Sequence, residues 1–197
     1  MHRVWLACAL GLLLLQGCTR TPPATPVSWQ QHSTAMAALE YWHLEGKLGY
    51  RTAADAGTAR LSWRQAPQWT EVSLSGPFGA GSAHIRTDLE GAVLRQPGSA
   101  ELRAASGEAL SRELLGWELP VSELRDWVRG IPFRGAPVEA MHFDALGRLE
   151  RLQQDGWELA FSDYRDTDAG FLPGRIDADD GHVRIRLVIK SWRLGLS

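Results

Sequence analysis

Cysteine is nearly missing from this 197-residue chain: there are two, Cys8 and Cys18, both close to the N-terminus. If the first residues are removed as a leader, one thiol remains and no intramolecular disulfide can form, so stability must come from a packed core. An excess of charge is also missing. The formal net charge is −2, with basic and acidic residues interleaved, which excludes the basic footprint of a nucleic-acid binder. The apolar stretch Val4–Leu15 falls short of the roughly 20 residues that a membrane-spanning helix needs. A nucleophile elbow G-x-S-x-G, a Walker A loop, H-E-x-x-H and Cys-x-x-Cys are all absent. The stretch Gly76-Pro77-Phe78-Gly79-Ala80-Gly81 lacks the spacing of a dinucleotide loop. His32, His43, His84, His142 and His182 occur one per segment without metal-ligand spacing and are expected to be solvated. An enzyme is therefore the poorer reading, no cofactor or metal is expected, and the absence of a nucleotide motif implies work done without ATP.

What is present begins with the leader. A basic start (His2, Arg3), an apolar stretch and Leu15-Gln16-Gly17-Cys18 read as a signal peptide whose end resembles the bacterial lipobox. That resemblance implies removal of residues 1–17, a thioether-linked diacylglycerol on Cys18 and acylation of the new N-terminus. A single myristoyl-sized chain binds membranes only marginally, so two or three chains make a durable anchor. Residues 18–28 are rich in Pro and Thr and form a flexible tether, leaving residues 29–197 as one domain. Tryptophan is abundant, with nine in the chain, and suits cores, ligand cavities and membrane interfaces alike.

Within the domain, Trp29–Leu39 is expected to be a short helix with Met36 and Leu39 on one side. From Trp42 the period becomes two: Trp42, Leu44, Gly46, Leu48 and Tyr50 oppose His43, Glu45 and Lys47, as in a half-buried strand. Similar runs follow with Ala59, Leu61 and Trp63, then with Thr70, Val72 and Leu74, and then at Ala83–Thr87, Ala92–Gln96 and Ala100–Ala104. Two helices interrupt, Glu108–Gly116 with a stripe of Leu110, Leu114 and Leu115, and Ser122–Arg129 with Leu124, Trp127 and Val128 on one face and Gly130 as terminator. Strands resume at Val138–Phe143, Leu149–Gln154 and Trp157–Tyr164, and the chain closes with a hairpin of Arg175–Ala178 and an alternating run from Val183 to Ile189. About ten strands and a few helices make an α+β domain with one large antiparallel sheet, which tends to curl and needs its concave apolar face covered or filled. Periodicity alone leaves open which of these happens.

The ordered set Trp42-x-Leu44-x-Gly46-Lys47-Leu48-Gly49-Tyr50, Trp63, Gly76-Pro77-Phe78-Gly79, Leu115-Gly116-Trp117-x-Leu119-Pro120-Val121, Leu124-x-x-Trp127-x-x-Gly130, Gln154-x-Gly156-Trp157 and Leu172-Pro173 resembles the LolB family, from the lipobox to Trp192. The resemblance implies a curved half-barrel of about ten or eleven strands, lidded by helices and enclosing an apolar cavity. It implies an outer-membrane lipoprotein, facing the periplasm and acting as a monomer. Such a protein receives lipoproteins from the carrier LolA, shields their acyl chains and releases them into the inner leaflet of the outer membrane. It also points to Phe78, between Pro77 and Gly79, as a protruding apolar residue that assists membrane insertion, where Leu is more familiar. Candidates for the acyl-binding face are Trp63, Val72, Leu74, Ile85, Trp117, Leu124, Trp127 and Trp157, each with ordinary core packing as its alternative. Arg60, Arg64, Arg184 and Arg186 lie on the polar faces of strands, where solvation competes with docking of an acidic patch on the carrier. From another class, a scaffold lipoprotein of the envelope would use the sheet only as an interaction surface, with a filled core and no lipid.

Overall fold

The computed structural model describes residues 28–76 and 81–195, so Cys18 and the Pro77-Phe78-Gly79 segment lie outside the described residues. Helix α1 (Trp29–Ala37) starts where the Ser28 hydroxyl accepts the Gln31 amide at 3.3 Å, the usual way of satisfying a free first-turn donor. It packs Met36 against Ile131 and Leu172. The main sheet follows: β1 (Trp42–Arg51), β2 (Ala56–Ala66), β3 (Trp69–Ser75), β4 (Ser82–Asp88), β5 (Gly91–Arg95) and β6 (Leu102–Ala104). Helices α2 (Gly107–Leu115) and α3 (Val121–Trp127) come next, and then β7 (Val138–Phe143), β8 (Leu149–Gln154) and β9 (Trp157–Ser162). After β10 (Arg165–Thr167) and β11 (Gly170–Leu172), β12 (Arg175–Asp179) and β13 (Arg184–Leu194) complete the chain.

Eleven strands form one antiparallel sheet in the order β6-β5-β4-β3-β2-β1-β13-β12-β9-β8-β7, and β10 and β11 pair separately. The sheet is open, with β6 and β7 as its edges, and its one-sided apolar alternation matches a sheet with one face packed and the other in water. Across the inner face, Leu44, Trp63, Val72, Ile85, Leu94 and Leu102 stand in register from β1 to β6. On the other side of β1, Tyr50, Ile185, Ala178, Leu159 and Leu152 form a second such row.

One irregularity sets the face of the last strand. Glu45 pairs with Ser191 and Gly46 with Ile189, so Lys190 is an extra residue in a β-bulge. The bulge switches the parity of β13, so that Ile189 and Trp192 pair with Gly46 and Leu44 of the same β1 face. Gly46 is required beside it, because a Cβ there would lie 2.2 Å from the Val188 carbonyl oxygen. At the β8–β9 turn Asp155 and Gly156 both have positive φ (53° and 75°), the demand of a tight hairpin turn that Asp-Gly meets.

Three expectations are corrected and one element is new. The strand expected to run to Tyr164 ends at Ser162, where Asp163 takes φ 55° and breaks the extended backbone. The small β10–β11 hairpin carries no period-two signal because each strand has only three residues. Of the leucine stripe on α2 only Leu110 is buried, while Leu114 and Leu115 remain 40% and 43% exposed. The helix lies over the short edge strands, where Ala92 and Leu94 offer room for one leucine. Finally, His84, His142 and His182 are exposed as expected, but His32 and His43 are buried. His32 is enclosed by the packing of α1 near β11, and His43 meets the Ser62 hydroxyl at 2.8 Å with Arg193 close by. Burial lowers both imidazole pKa values, so both are neutral at pH 7.

Candidate functional site

The inner face of the sheet carries the candidate residues, and the two later helices cover it. Trp63, Leu124, Trp127 and Trp157 are all buried in the main core cluster, with the Trp127 and Trp157 rings 6.0 Å apart. Val72, Leu74 and Trp117 are half-buried and pack against that cluster. Ile85 belongs elsewhere, packing beneath α2 with Ala92, Leu94 and Leu110. Seven of the eight candidates therefore lie in or against one core cluster, while Ile85 shares the inner face but packs under α2. The sequence reading passed over Trp42, Leu44 and Leu61 on the same face, although the period-two pattern already placed them beside Trp63.

The cover is built from α2 and α3 joined at both starts. The Ser106 hydroxyl accepts the Ala109 amide at 3.2 Å, and Gly116 ends α2 in the left-handed conformation with φ 76°. The Glu108 carboxylate accepts the Ser122 amide at 2.9 Å and its hydroxyl at 2.8 Å, while the Ser111 hydroxyl accepts the Leu119 amide at 2.8 Å. Burial pushes the Glu108 carboxyl up, but these hydrogen bonds outweigh it and its pKa is lowered. Glu123, on α3, is pushed the other way by burial and by the charges of Glu108 and Asp155.

The far end of α3 is held to the sheet and to α1 by two polar side chains that have no sequence signature. Gln154 of β8 is fully buried. Its Oε1 accepts the Trp127 indole N–H at 3.0 Å and the Phe133 amide at 2.9 Å, and its Nε2 donates to the carbonyls of Phe133 and Ala136. Arg129, also buried, donates to the Met36 carbonyl at 2.7 Å and the Leu39 carbonyl at 3.0 Å at the end of α1, and pairs with Asp126. Its positive charge thereby serves the unsatisfied carbonyls of a helix C-terminus.

The face is sealed unevenly. Beneath α3 it is filled by Leu61, Trp63, Leu124 and Trp127, each at most 5% exposed. Toward the end of the sheet that bears the β1–β2 and β3–β4 connections, Leu48, Tyr50, Val72 and Leu74 are only half-buried. Trp117, in the link between α2 and α3, closes over this region with its ring 5.8 Å from that of Tyr50. Recesses of about 950 and 450 Å³ lie on the opposite, polar face, the larger one lined by Arg51, Arg151, Asp177 and Arg186 among others. On that polar face Arg184 pairs with Asp179 at 2.6 Å and Arg186 with Asp177 at 2.5 Å, so half of the proposed docking cations are already neutralised. Arg60 and Arg64 project from β2 into solvent.

A family model described as outer membrane lipoprotein LolB matches residues 40–192. The outer-membrane lipoprotein LolB of Cellvibrio japonicus (strain Ueda107) is 37% identical over 199 residues, covering 97% of this chain and 98% of its own. That of Nitrosococcus oceani is 37% identical over 191 residues, covering 94% and 95%. Among solved structures, a LolA superfamily protein from Nitrosomonas europaea superposes with a TM-score of 0.56 over 87% of this chain and 95% of its own, at 9% identity, a likeness of fold alone. The chain belongs to the LolB family of outer membrane lipoproteins.

Proposed function

We propose that this protein, held in the outer membrane through lipids on Cys18, takes lipoproteins from the periplasmic carrier LolA, shelters their acyl chains against the inner face of its sheet, and inserts them into the inner leaflet. The observation that carries this reading is the half-buried apolar region of Leu48, Val72 and Leu74 at the free edge of the α2–α3 cover, with Trp117 across it. The far end of the cover is tied down by Gln154 and Arg129, so admission of a chain requires movement only at the Trp117 end, which opens an apolar cavity over Trp63. The LolB family is non-catalytic, and transfer needs no chemical step.

At about 0.8 kcal/mol per buried CH₂, exposing a triacylated N-terminus to water costs on the order of tens of kcal/mol. Free diffusion through the periplasm is excluded by that cost. Handover without ATP then runs downhill, from a weaker apolar host to a stronger one and on to the bilayer.

The placement of the anchor supports delivery at the opposite end. Trp29 packs against Phe143, at the end of the sheet where β1 begins, whereas β3 ends at Ser75 and β4 begins at Ser82 at the other end. The ten peptide units from Cys18 to Ser28 reach at most about 35 Å. An 11-residue strand such as β13 is about 36 Å long. The two lengths are nearly equal, so turning Phe78 toward the membrane in which Cys18 is anchored draws the tether close to full extension.

Mixing LolA loaded with a lipoprotein and this protein, without nucleotide, tests the reading. Transfer is expected, first to the protein and then into vesicles; cargo that stays on LolA sinks the proposal. Phe78→Glu is expected to accept cargo normally and to fail in release to vesicles, whereas normal release removes the role of that segment.

A further inference from the structure

Two tryptophans on the inner face carry hydrogen-bond donors that have no acceptor among the described residues. The Trp42 and Trp63 side chains are 1% and 5% exposed, and each indole Nε1 is buried without an acceptor. Other tryptophans of the same core differ. Trp127 donates to Gln154 and Trp192 donates to the Pro173 carbonyl. Buried polar groups in native proteins are nearly always paired, so two unpaired donors whose rings lie 5.2 Å apart ask for an explanation.

Their surroundings define what would satisfy them. An indole N–H donates only, so the missing group is an acceptor. The neighbours on the face are apolar: Leu44 stands opposite Trp63 in β1, Val72 stands opposite it in β3, and Trp192 packs against Trp42. Gln65, opposite Trp42 and the polar exception on this face, donates through Nε2 to the Ala66 and Trp69 carbonyls and accepts the Thr70 hydroxyl at Oε1, and it makes no hydrogen bond to the Trp42 indole. With no cation among these neighbours, the site suits a neutral acceptor better than an anion. Access is provided by the register, because the half-buried Val72 sits directly beside Trp63, at the border between the sealed and the half-open parts of the face.

Hydrocarbon chains contain no acceptor, but their attachments do. A diacylglyceryl cysteine bears two ester carbonyls, and its acylated amine bears an amide carbonyl. We propose that Trp42 and Trp63 donate their indole N–H groups to linkage carbonyls of a bound acylated cysteine, so that the site reads the linkage as well as the chain. This rests on the acyl-binding reading above. It gives the open-cover state a polar reward that the closed state lacks, since the donors gain partners only when cargo is present.

The test uses the mature chain carrying Cys18→Ala, which keeps every residue of the domain. Two probes are compared: a cysteine peptide bearing a dipalmitoyl-ester glyceryl group, ¹³C-labelled at the ester carbonyls, and its dialkyl-ether counterpart. The ester is expected to bind about three- to tenfold more tightly than the ether, and its bound carbonyl infrared band to shift to lower wavenumber. In Trp42→Phe/Trp63→Phe, which keeps aromatic rings but no donors, the preference should fall to within about twofold and the band should return. If the double variant does not fold, the two single Phe variants are read in the same way. Equal affinity for ester and ether in the parent, or an ester preference that survives loss of both donors, overturns the proposal while leaving acyl binding intact. Failure of both probes to bind overturns the acyl-binding reading itself.

Discussion

Replacing Gln154 by Leu probes the tie between the cover and the sheet most directly. The side chain is fully buried and uses all four of its hydrogen-bonding positions, two accepting and two donating. Leucine is close in volume, so the loss is chiefly polar: the Trp127 indole N–H, the Phe133 amide and two carbonyls are left unpaired. Each such group costs about 1–3 kcal/mol, and local relaxation recovers part of it, which leaves a total on the order of 3–5 kcal/mol. Against a typical domain stability of about 5–15 kcal/mol this is a large share. Urea unfolding followed by tryptophan fluorescence measures it, with the exposed neighbour Gln153→Leu as a control expected to stay within about 0.5 kcal/mol. Gln154→Glu adds a second reading, because a carboxylate still accepts two bonds but faces two carbonyls with negative charge. Its folded-state pKa is raised above the unfolded value of about 4.3, so the folded state holds the extra proton and stability increases as pH falls toward that value. A Gln154→Leu cost below about 1 kcal/mol, or a Glu variant with the same pH profile as the parent, refutes this account of the tie.

Three further outcomes are expected. Gly46→Ala should destabilise by at least about 2 kcal/mol in thermal or urea unfolding, because its Cβ meets the Val188 carbonyl oxygen beside the bulge; a neutral result would mean that the bulge relaxes freely. Burial, with Arg148 adding to it, lowers the His32 pKa below its unfolded value of about 6.5, so the unfolded chain takes up a proton first and stability should drop as pH falls below that value. His32→Phe should flatten this part of the profile, and an unchanged slope counts against His32 as its source. Deleting residues 20–27 should leave cargo transfer from LolA intact while slowing delivery to the membrane that holds the anchor, measured by lipoprotein fractionation; undiminished delivery would show that the tether length does not limit the reach of Phe78.

The faces of β1, β2 and the first half of β13 were readable in advance because a sheet with one wet side forces alternation, and Leu44, Leu61, Trp63 and Ile185 obey it. The order of motifs likewise pointed to the LolB family, to which the chain belongs. Other features depend on what lies across from a residue, which no local pattern records. Leu114 and Leu115 look like a buried stripe on α2, but the edge strands below have room only for Leu110. His43 follows the polar side of its strand, yet the Ser62 hydroxyl and the Arg193 guanidinium close around it.

Gln154 and Arg129 read as ordinary polar residues, and their partners are tens of residues away in the chain, so their role in holding the cover appears only when α1, α3 and β8 meet. Trp42 and Trp63 are legible as inward-facing from period two alone. That their indole N–H groups lack acceptors among the described residues is decided by tertiary packing, because satisfying a buried donor depends on the three-dimensional position of every nearby oxygen, whereas facing inward depends only on the pleat.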